Sequence, residues 1–248
     1  MRIALCISGG LRNYKDTHYS FKHFLLDQNN VDVFFYGLEN KEGKENNIKD
    51  FVELYNPKGF VINTNEDYDQ IPCNHHIKSS FYGFYNVFKC NELKTKYETE
   101  NNFQYDIVIR ARLDYFLFRP ITEEEFNLAK HNVLTPEKWS FKCVNSFCRS
   151  DIFAIGSSEL MNQYSLLFNR IDEYCNNFVF HPESLCGYHL QVNNIPNIEI
   201  KEHVLFEYPS VRTEFIIEPY KFIKYFQEPN IPNTEDLVNY ISNKRREF

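Results

Sequence analysis

Residues 2–12 read RIALCISGGLR, a short apolar run that ends in two glycines and is followed by Arg12. An apolar run of this length, bounded by glycine, predicts a buried β-strand that enters a tight turn. Two consecutive glycines let a ligand approach the backbone N–H groups closely, and an anion is the natural partner of such groups. The stretch therefore predicts the first strand of a sheet and, at its carboxyl end, either a candidate anion site made by Ser8, Gly9, Gly10 and Arg12 or a plain turn with a surface arginine.

The same kind of apolar run recurs along the chain, and segments with helical spacing of apolar residues separate the runs. This alternation is typical of parallel β-α-β units. We predict one α/β domain with a mostly parallel sheet flanked by helices at residues 1–215, and an aromatic and helical extension packed on it at 216–248. The predicted strands lie at residues 2–8, 31–38, 59–63, 105–109, 132–135, 151–156 and 198–206. The predicted helices lie at residues 16–26, 46–55, 77–98, 122–130, 157–174, 181–192 and 235–246, with a loop at 66–76.

Composition restricts the classes of function. The chain has 248 residues and a net charge of -7, from 27 Lys and Arg against 34 Asp and Glu, so we expect no general attraction to nucleic acid or anionic membranes. No run approaches the ~18 consecutive apolar residues of a membrane span. Seven dispersed cysteines and no Asn-x-Ser/Thr sequon indicate a reducing compartment, and we predict a cytoplasmic protein.

A second candidate site follows the predicted strand at residues 105–109, where the sequence reads Arg110-Ala-Arg112-Leu-Asp114. In an extended chain alternate residues face the same side, so Arg110, Arg112 and Asp114 are expected to share one face at the carboxyl end of a strand. Buried charges need partners. A ligand phosphate, with or without a divalent cation, would satisfy them, and so would an internal Arg–Asp ion pair; the sequence leaves both interpretations open.

Three later residues are also candidates for chemistry. Asp151 opens a predicted strand and would either orient a sugar hydroxyl or end a turn. Glu183 stands in the first turn of a predicted helix, where it would act as a general base or only complement the helix dipole. His203 is a candidate nitrogen ligand for a metal, or a structural histidine.

Four motifs follow one another along the chain: CISGGLRNY from residue 6, the segment from YNVFKCNELK to YDIVIRARLD at residues 85–114, SDIFAIG from residue 150, and HPE from residue 181. Together they resemble a family of small glycosyltransferase-like proteins from large DNA viruses and bacteria, over residues 1–195. The resemblance implies a GT-A-like, Rossmann-like fold. It also implies a hexosyl- or pentosyltransferase that moves a sugar from a UDP- or GDP-sugar to a hydroxyl of a glycan or protein-linked acceptor, in the cytoplasm of the host if the protein is viral.

The resemblance further implies roles for single residues. Glu183 would be the catalytic carboxylate, with Asp151 as the second choice. GT-A enzymes usually hold Mn²⁺ or Mg²⁺ with an Asp-x-Asp motif, and the equivalent place here reads Arg112-Leu113-Asp114. Asp114 and His203 are therefore the candidate metal ligands, while arginines would neutralise part of the diphosphate charge. The residues implied to bind the donor diphosphate are Ser8, Gly9, Gly10, Arg12, Arg110, Arg112 and Asp114.

Two other classes of protein remain open on the sequence. A nucleotidyltransferase or phosphohydrolase would use the same phosphate-binding turn but carry more metal-binding carboxylates near Asp114. A non-catalytic module that binds glycan or protein would use residues 110–114 as an internal ion-pair cluster.

Overall fold

The structure, a computed structural model, describes residues 1–12, 14–39, 48–117, 119–136, 148–176, 180–200 and 205–207. These residues belong to one compact unit, Met1–Tyr208. The unit is an α/β protein in which helices flank a mixed, mostly parallel sheet. The predicted extension at 216–248, its helix at 235–246, and His203 lie outside the described residues.

The strands are short, and most of them join one sheet. They are β1 (Arg2–Gly10), β2 (Asn30–Leu38), β3 (Gly59–Asn63), β4 (Ile107–Ala111), β5 (Tyr115–Leu117), β6 (Val133–Pro136), β7 (Ala154–Gly156), β8 (Asn197–Ile200) and β9 (Leu205–Glu207). The main sheet has the order β3-β2-β1-β4-β7-β6-β8, and β5 pairs with β9 apart from it. The first four strands run parallel, as predicted, and β7 runs antiparallel to both β4 and β6.

The helices connect these strands across both faces of the sheet. They are α1 (Tyr14–Phe21), α2 (Ile48–Tyr55), α3 (Asn65–Asp69), α4 (Lys78–Glu100), α5 (Glu123–Ala129), α6 (Ser158–Ser165), α7 (Ile171–Cys175) and α8 (Pro182–Val192). A π-helical turn, Lys22–Leu26, continues α1, and a 3₁₀ turn, Leu166–Arg170, joins α6 to α7. Within the part of the chain that the structure describes, no helix is long and apolar enough to cross a membrane.

The core has two layers because β1 and its neighbours are buried on both faces, as parallel strands in α/β proteins are. On one face Phe35 of β2 packs against Phe51 of α2, with ring centroids 4.9 Å apart. On the other face Cys6 of β1 belongs to an apolar cluster that includes Phe84 of α4 and Leu185 of α8. Residues on β1 therefore alternate between two packed layers, and neither face of the strand is open to water.

The strand order places a topological switch point between the carboxyl ends of β1 and β4. From β1 the chain continues through β2 and β3 on one side, and it returns to β4 on the other side. Ligands of open α/β sheets bind outside the carboxyl ends of the strands at such a switch point. Both sequence-predicted anion sites follow these two strands, so the topology brings them to the same edge of the sheet.

The structure corrects four details of the sequence prediction. Strand β1 does not end at Ser8 before a tight turn, because Gly9 and Gly10 continue it in register with β2. Part of the loop predicted at 66–76 is helical, because Thr64 and Asp67 form a reciprocal cap that starts α3. Strand β4 extends through Arg110, which pairs with Cys6 on one side and Ala154 on the other. Strand β7 begins only at Ala154, so Asp151 lies in the bend before the strand instead of opening it.

Candidate functional site

Two glycines, Gly9 and Gly10, form the carboxyl end of β1. Gly9 has φ +121°, a conformation that residues with a Cβ rarely adopt, and its carbonyl oxygen would lie 1.8 Å from a Cβ placed on Gly37. No atom lies within 4 Å of the Cβ position on Gly9 or on Gly10. Beyond the strand the Arg12 N–H donates to the carbonyl of Gly10 at 3.0 Å. A ligand can therefore approach the backbone of these glycines without meeting a side chain at their Cβ positions.

The two predicted anion sites meet at one carboxylate. From the β1 side Arg12 Nη2 donates to Asp114 Oδ2 at 2.9 Å, and from the β4 side Arg112 Nε donates to Asp114 Oδ1 at 2.9 Å. Burial raises the pKa of Asp114, but Arg112 and then Arg12 outweigh it, so the pKa lies below its usual value. The two segments therefore lie together, joined by the internal Arg–Asp ion pairs that the sequence left open, and phosphate binding by them stays a prediction.

Arg110 occupies a different environment from the other two arginines. Its side chain leaves the strand itself and is 5% exposed. Its Nε and Nη1 atoms are buried, and among the described residues neither has a hydrogen-bond partner. Arg12 and Arg112 retain 38% and 29% side-chain exposure at their ion pairs, so they are the more accessible cations.

Two carboxylates, those of Asp151 and Glu183, lie near these arginines. Glu183 lies in the first turn of α8, and its Oε2 is 3.5 Å from Nδ1 of His181, the residue that caps the helix. The Arg149 N–H donates to the Glu183 carbonyl at 3.0 Å, which holds the segment before Asp151 against the start of α8. Burial raises the pKa of Glu183, and the charge of Asp151 raises it further, against the opposing effects of His181 and Arg112. Glu183 therefore accepts a proton more readily than an ordinary glutamate.

The described residues do not fit the metal site that the resemblance implies. Both carboxylate oxygens of Asp114 accept hydrogen bonds from arginine, and a divalent cation would need those lone pairs. The described ranges contain no group of three His, Cys, Asp or Glu side chains placed to hold a metal. His203 lies outside them, so its role stays a prediction, and no step below passes through a metal.

A buried ion-pair network lies in one of the motifs that carry the resemblance. Lys94, in the YNVFKCNELK segment, is 0% exposed, and its Nζ donates to Glu98 Oε2 at 2.9 Å and to Asn162 Oδ1 at 2.8 Å. It also donates to the Ser158 hydroxyl at 2.5 Å. This network ties α4 to α6. The sequence signal for it was the spacing of four residues between lysine and glutamate on one helix.

The fold and the site define a class: an α/β protein with a mixed, mostly parallel sheet and three arginines grouped at the switch point of that sheet. Residues 1–161 match a family described as a domain of unknown function, DUF7796. The match covers more than half of the chain, and the chain belongs to this family. The matched region contains Gly9, Gly10, the three arginines of the site and Asp151, whereas Glu183 lies beyond it. No curated protein matches the chain.

Proposed function

We propose that this protein is a GT-A-like glycosyltransferase that moves a sugar from a nucleoside-diphosphate sugar to an acceptor hydroxyl. The observation that carries the proposal is the meeting of Arg12 and Arg112 at Asp114, with Arg110 nearby, at the carboxyl ends of β1 and β4 where the Cβ positions of two glycines are open. Three guanidinium groups face only one directly paired carboxylate among the described residues, Asp114. A diphosphate supplies the anionic oxygens that such a surplus of cationic donors binds.

The sheet supports the GT-A-like part of the proposal. The order β3-β2-β1-β4 of its parallel half is the order of a nucleotide-binding Rossmann half. In both, the switch point lies between the first strand and the strand that follows the crossover. The antiparallel β7 departs from a purely parallel doubly wound sheet, and the bend before it carries Asp151. The donor diphosphate would lie over the Gly9–Gly10 backbone, with the sugar towards Asp151 and Glu183.

The chemistry of the transfer assigns a separate task to each group. The acceptor oxygen forms a bond to the anomeric carbon, and the bond from that carbon to the diphosphate oxygen breaks with its electron pair on the diphosphate. The leaving group gains negative charge, so the arginines stabilise the transition state more than the ground state. The acceptor hydroxyl loses its proton to the Glu183 carboxylate, and Asp151 orients a sugar hydroxyl.

Among the described residues the surroundings of Asp114 favour this function over the other nucleotide-processing enzymes. A nucleotidyltransferase or phosphohydrolase of the expected kind would place further carboxylates beside Asp114, but arginines lie there. The ion pairs themselves favour the third candidate, a non-catalytic binding module in which Arg12, Asp114 and Arg112 only hold two segments together. A ligand panel separates these functions.

The panel measures thermal unfolding of the full chain with UDP, GDP, CMP, their sugars, and nucleoside triphosphates. We expect a nucleoside diphosphate at 100 times its Kd to raise Tm by roughly 5–10 °C, since binding to the native state alone contributes about 2.7 kcal/mol. A response to triphosphates alone would instead support a nucleotidyltransferase or phosphohydrolase. An unchanged Tm with every nucleotide would leave the binding module as the remaining function.

Replacing Arg112 by alanine should weaken binding of the nucleoside diphosphate about 10- to 100-fold, because hydrogen bonds to charged groups contribute about 1.5–3 kcal/mol. Isothermal titration calorimetry on the variant and the parent measures the change. The matched control is Arg119→Ala, because Arg119 forms an equally close double ion pair with Glu125 at the start of α5. The control should lose stability and keep its affinity. Equal nucleotide affinity in Arg112→Ala and the parent would remove the diphosphate from this site.

A further inference from the structure

Arg110 carries a buried charge that no described group pairs directly. It is 5% exposed, and its Nε and Nη1 atoms have no hydrogen-bond partner within the described ranges. Burial lowers the pKa of Arg110, but arginine keeps its proton in proteins, so the side chain remains a cation. A buried, unpaired cation is costly to the folded state. An anionic ligand that pairs with Arg110 would remove this cost.

The groups that surround Arg110 do not neutralise it. The Cys90 thiol of α4, the Tyr164 phenol of α6 and the Cys186 thiol of α8 all have pKa values raised by burial, and each interacts with the Arg110 charge. They are therefore uncharged at neutral pH. The acidic groups that act on Arg110 are Asp151 and Asp114, and among the described residues neither forms an ion pair with it.

Two buried hydroxyls share the lack of a partner. Ser8 and Ser150 are 3% and 4% exposed, and the Oγ atom of each is buried without a hydrogen bond within the described part of the chain. Ser8 lies two residues after Cys6, the register partner of Arg110, and so faces the same side of the sheet. The Ser150 carbonyl accepts from Cys186 Sγ at 3.8 Å, which places Ser150 beside a neighbour of Arg110.

We propose that Arg110, with the hydroxyls of Ser8 and Ser150, forms a buried pocket for one phosphate group, and that the ion-paired Arg12, Asp114 and Arg112 form its outer wall. In terms of the proposed function, on which this assignment rests, the group is the distal phosphate of the donor diphosphate. In the donor this phosphate has two free oxygens, and it gains a third when its bond to the anomeric carbon breaks. Guanidinium and hydroxyl donors from three chain segments therefore suit the departing diphosphate, and free pyrophosphate, best. A planar carboxylate has only two oxygens, in one plane, to offer them.

Arg110→Met tests the pocket, because methionine keeps an apolar side chain of similar reach without the charge. We follow thermal unfolding of the full chain in titrations with sodium pyrophosphate, sodium phosphate and sodium chloride of matched ionic strength. The parent should bind pyrophosphate, and Arg110→Met should bind it at least about 10-fold more weakly. Without ligand the Tm of the variant should equal that of the parent or exceed it by about 2–4 °C, because a buried unpaired charge is gone. The matched control, Arg119→Met, should lower Tm and leave the pyrophosphate response intact.

Each outcome decides the assignment. A lower Tm with an unchanged pyrophosphate response in Arg110→Met would make Arg110 a structural residue, and a parent that ignores pyrophosphate would end the proposal. If Arg110→Met fails to fold or loses both properties, the double variant Ser8→Ala, Ser150→Ala decides. It supports the pocket if pyrophosphate affinity falls while Tm is kept, and overturns it if affinity is unchanged.

These titrations, together with a sugar-transfer assay and the nucleotide panel, separate the pocket from the proposed function. Pyrophosphate binding that needs Arg110, in a protein that transfers no sugar, would retain the pocket and reject the glycosyltransferase. UDP or GDP binding that Arg110→Met leaves unchanged would reject the pocket and retain the glycosyltransferase.

Discussion

Replacing Lys94 by alanine should lower the free energy of unfolding by about 3–5 kcal/mol, the cost of removing one partner from a buried ion pair. Lys94 is fully buried and donates to Glu98, Ser158 and Asn162. Without it the Glu98 carboxylate stays inside the protein and keeps only the hydroxyl of Ser158 and the N–H of Tyr105 as donors in the described structure. Chemical denaturation followed by far-ultraviolet circular dichroism measures the loss.

The same helix provides the control for this prediction. Lys96 forms an ion pair with Glu100 at the same four-residue spacing, but at 3.8 Å and with both side chains more than half exposed. Lys96→Ala should change stability by no more than about 0.5 kcal/mol, because exposed ion pairs contribute little. If Lys94→Ala and Lys96→Ala cost the same, the buried network does not hold α4 against α6.

The parallel half of the sheet is predictable from sequence because each of its strands contains a run of at least three apolar residues, bounded by glycine or polar residues. Strand β3 lies at the predicted residues, Gly59–Asn63. The first residue of β7 was harder to predict. Its pairing with β4 and β6 begins only at Ala154, and the segment DIFAIG does not reveal where the hydrogen-bonded ladder begins. Helix α3 was missed because its first turn depends on a local cap at Thr64 in a polar segment, where apolar spacing gives little signal.

The candidate site divides in the same way. Sequence places arginines after two strands, and strand order then brings Arg12 to Asp114, 102 residues further along the chain. Sequence could not distinguish Arg112, which is paired with Asp114, from Arg110, which is not. That difference depends on which neighbours each guanidinium meets in three dimensions. The bonds from Lys94 to Ser158 and Asn162 are invisible in sequence for the same reason, because their partners lie on another helix.

Glu183→Gln should reduce sugar transfer about 10²- to 10⁴-fold, the usual contribution of a general base, while nucleoside-diphosphate affinity stays at the parent value. Glutamine keeps the shape of the side chain but cannot take the acceptor proton. Because the folded-state pKa of Glu183 is raised, ionising it disfavours the folded state above the unfolded-state pKa, so the variant should be at least as stable as the parent at pH 7. Transfer assays with the nucleotide that the panel identifies give the rate, and calorimetry gives the affinity. Unchanged turnover would exclude Glu183 from the mechanism.

The pH profile tests the same base in the unaltered protein. The carboxylate form of Glu183 is the active one, so kcat/KM should fall as pH drops through its pKa, which burial and then Asp151 raise. The acidic limb should therefore lie at higher pH than an ordinary glutamate, near 4.3, would give. Asp151→Asn removes the neighbouring negative charge and should move this limb to lower pH, in addition to any loss of rate. If Glu183 only stabilised the start of α8, the acidic limb of the pH profile would not respond to Asp151→Asn. A limb that stays in place in this variant would therefore contradict the assignment of Glu183 as the base.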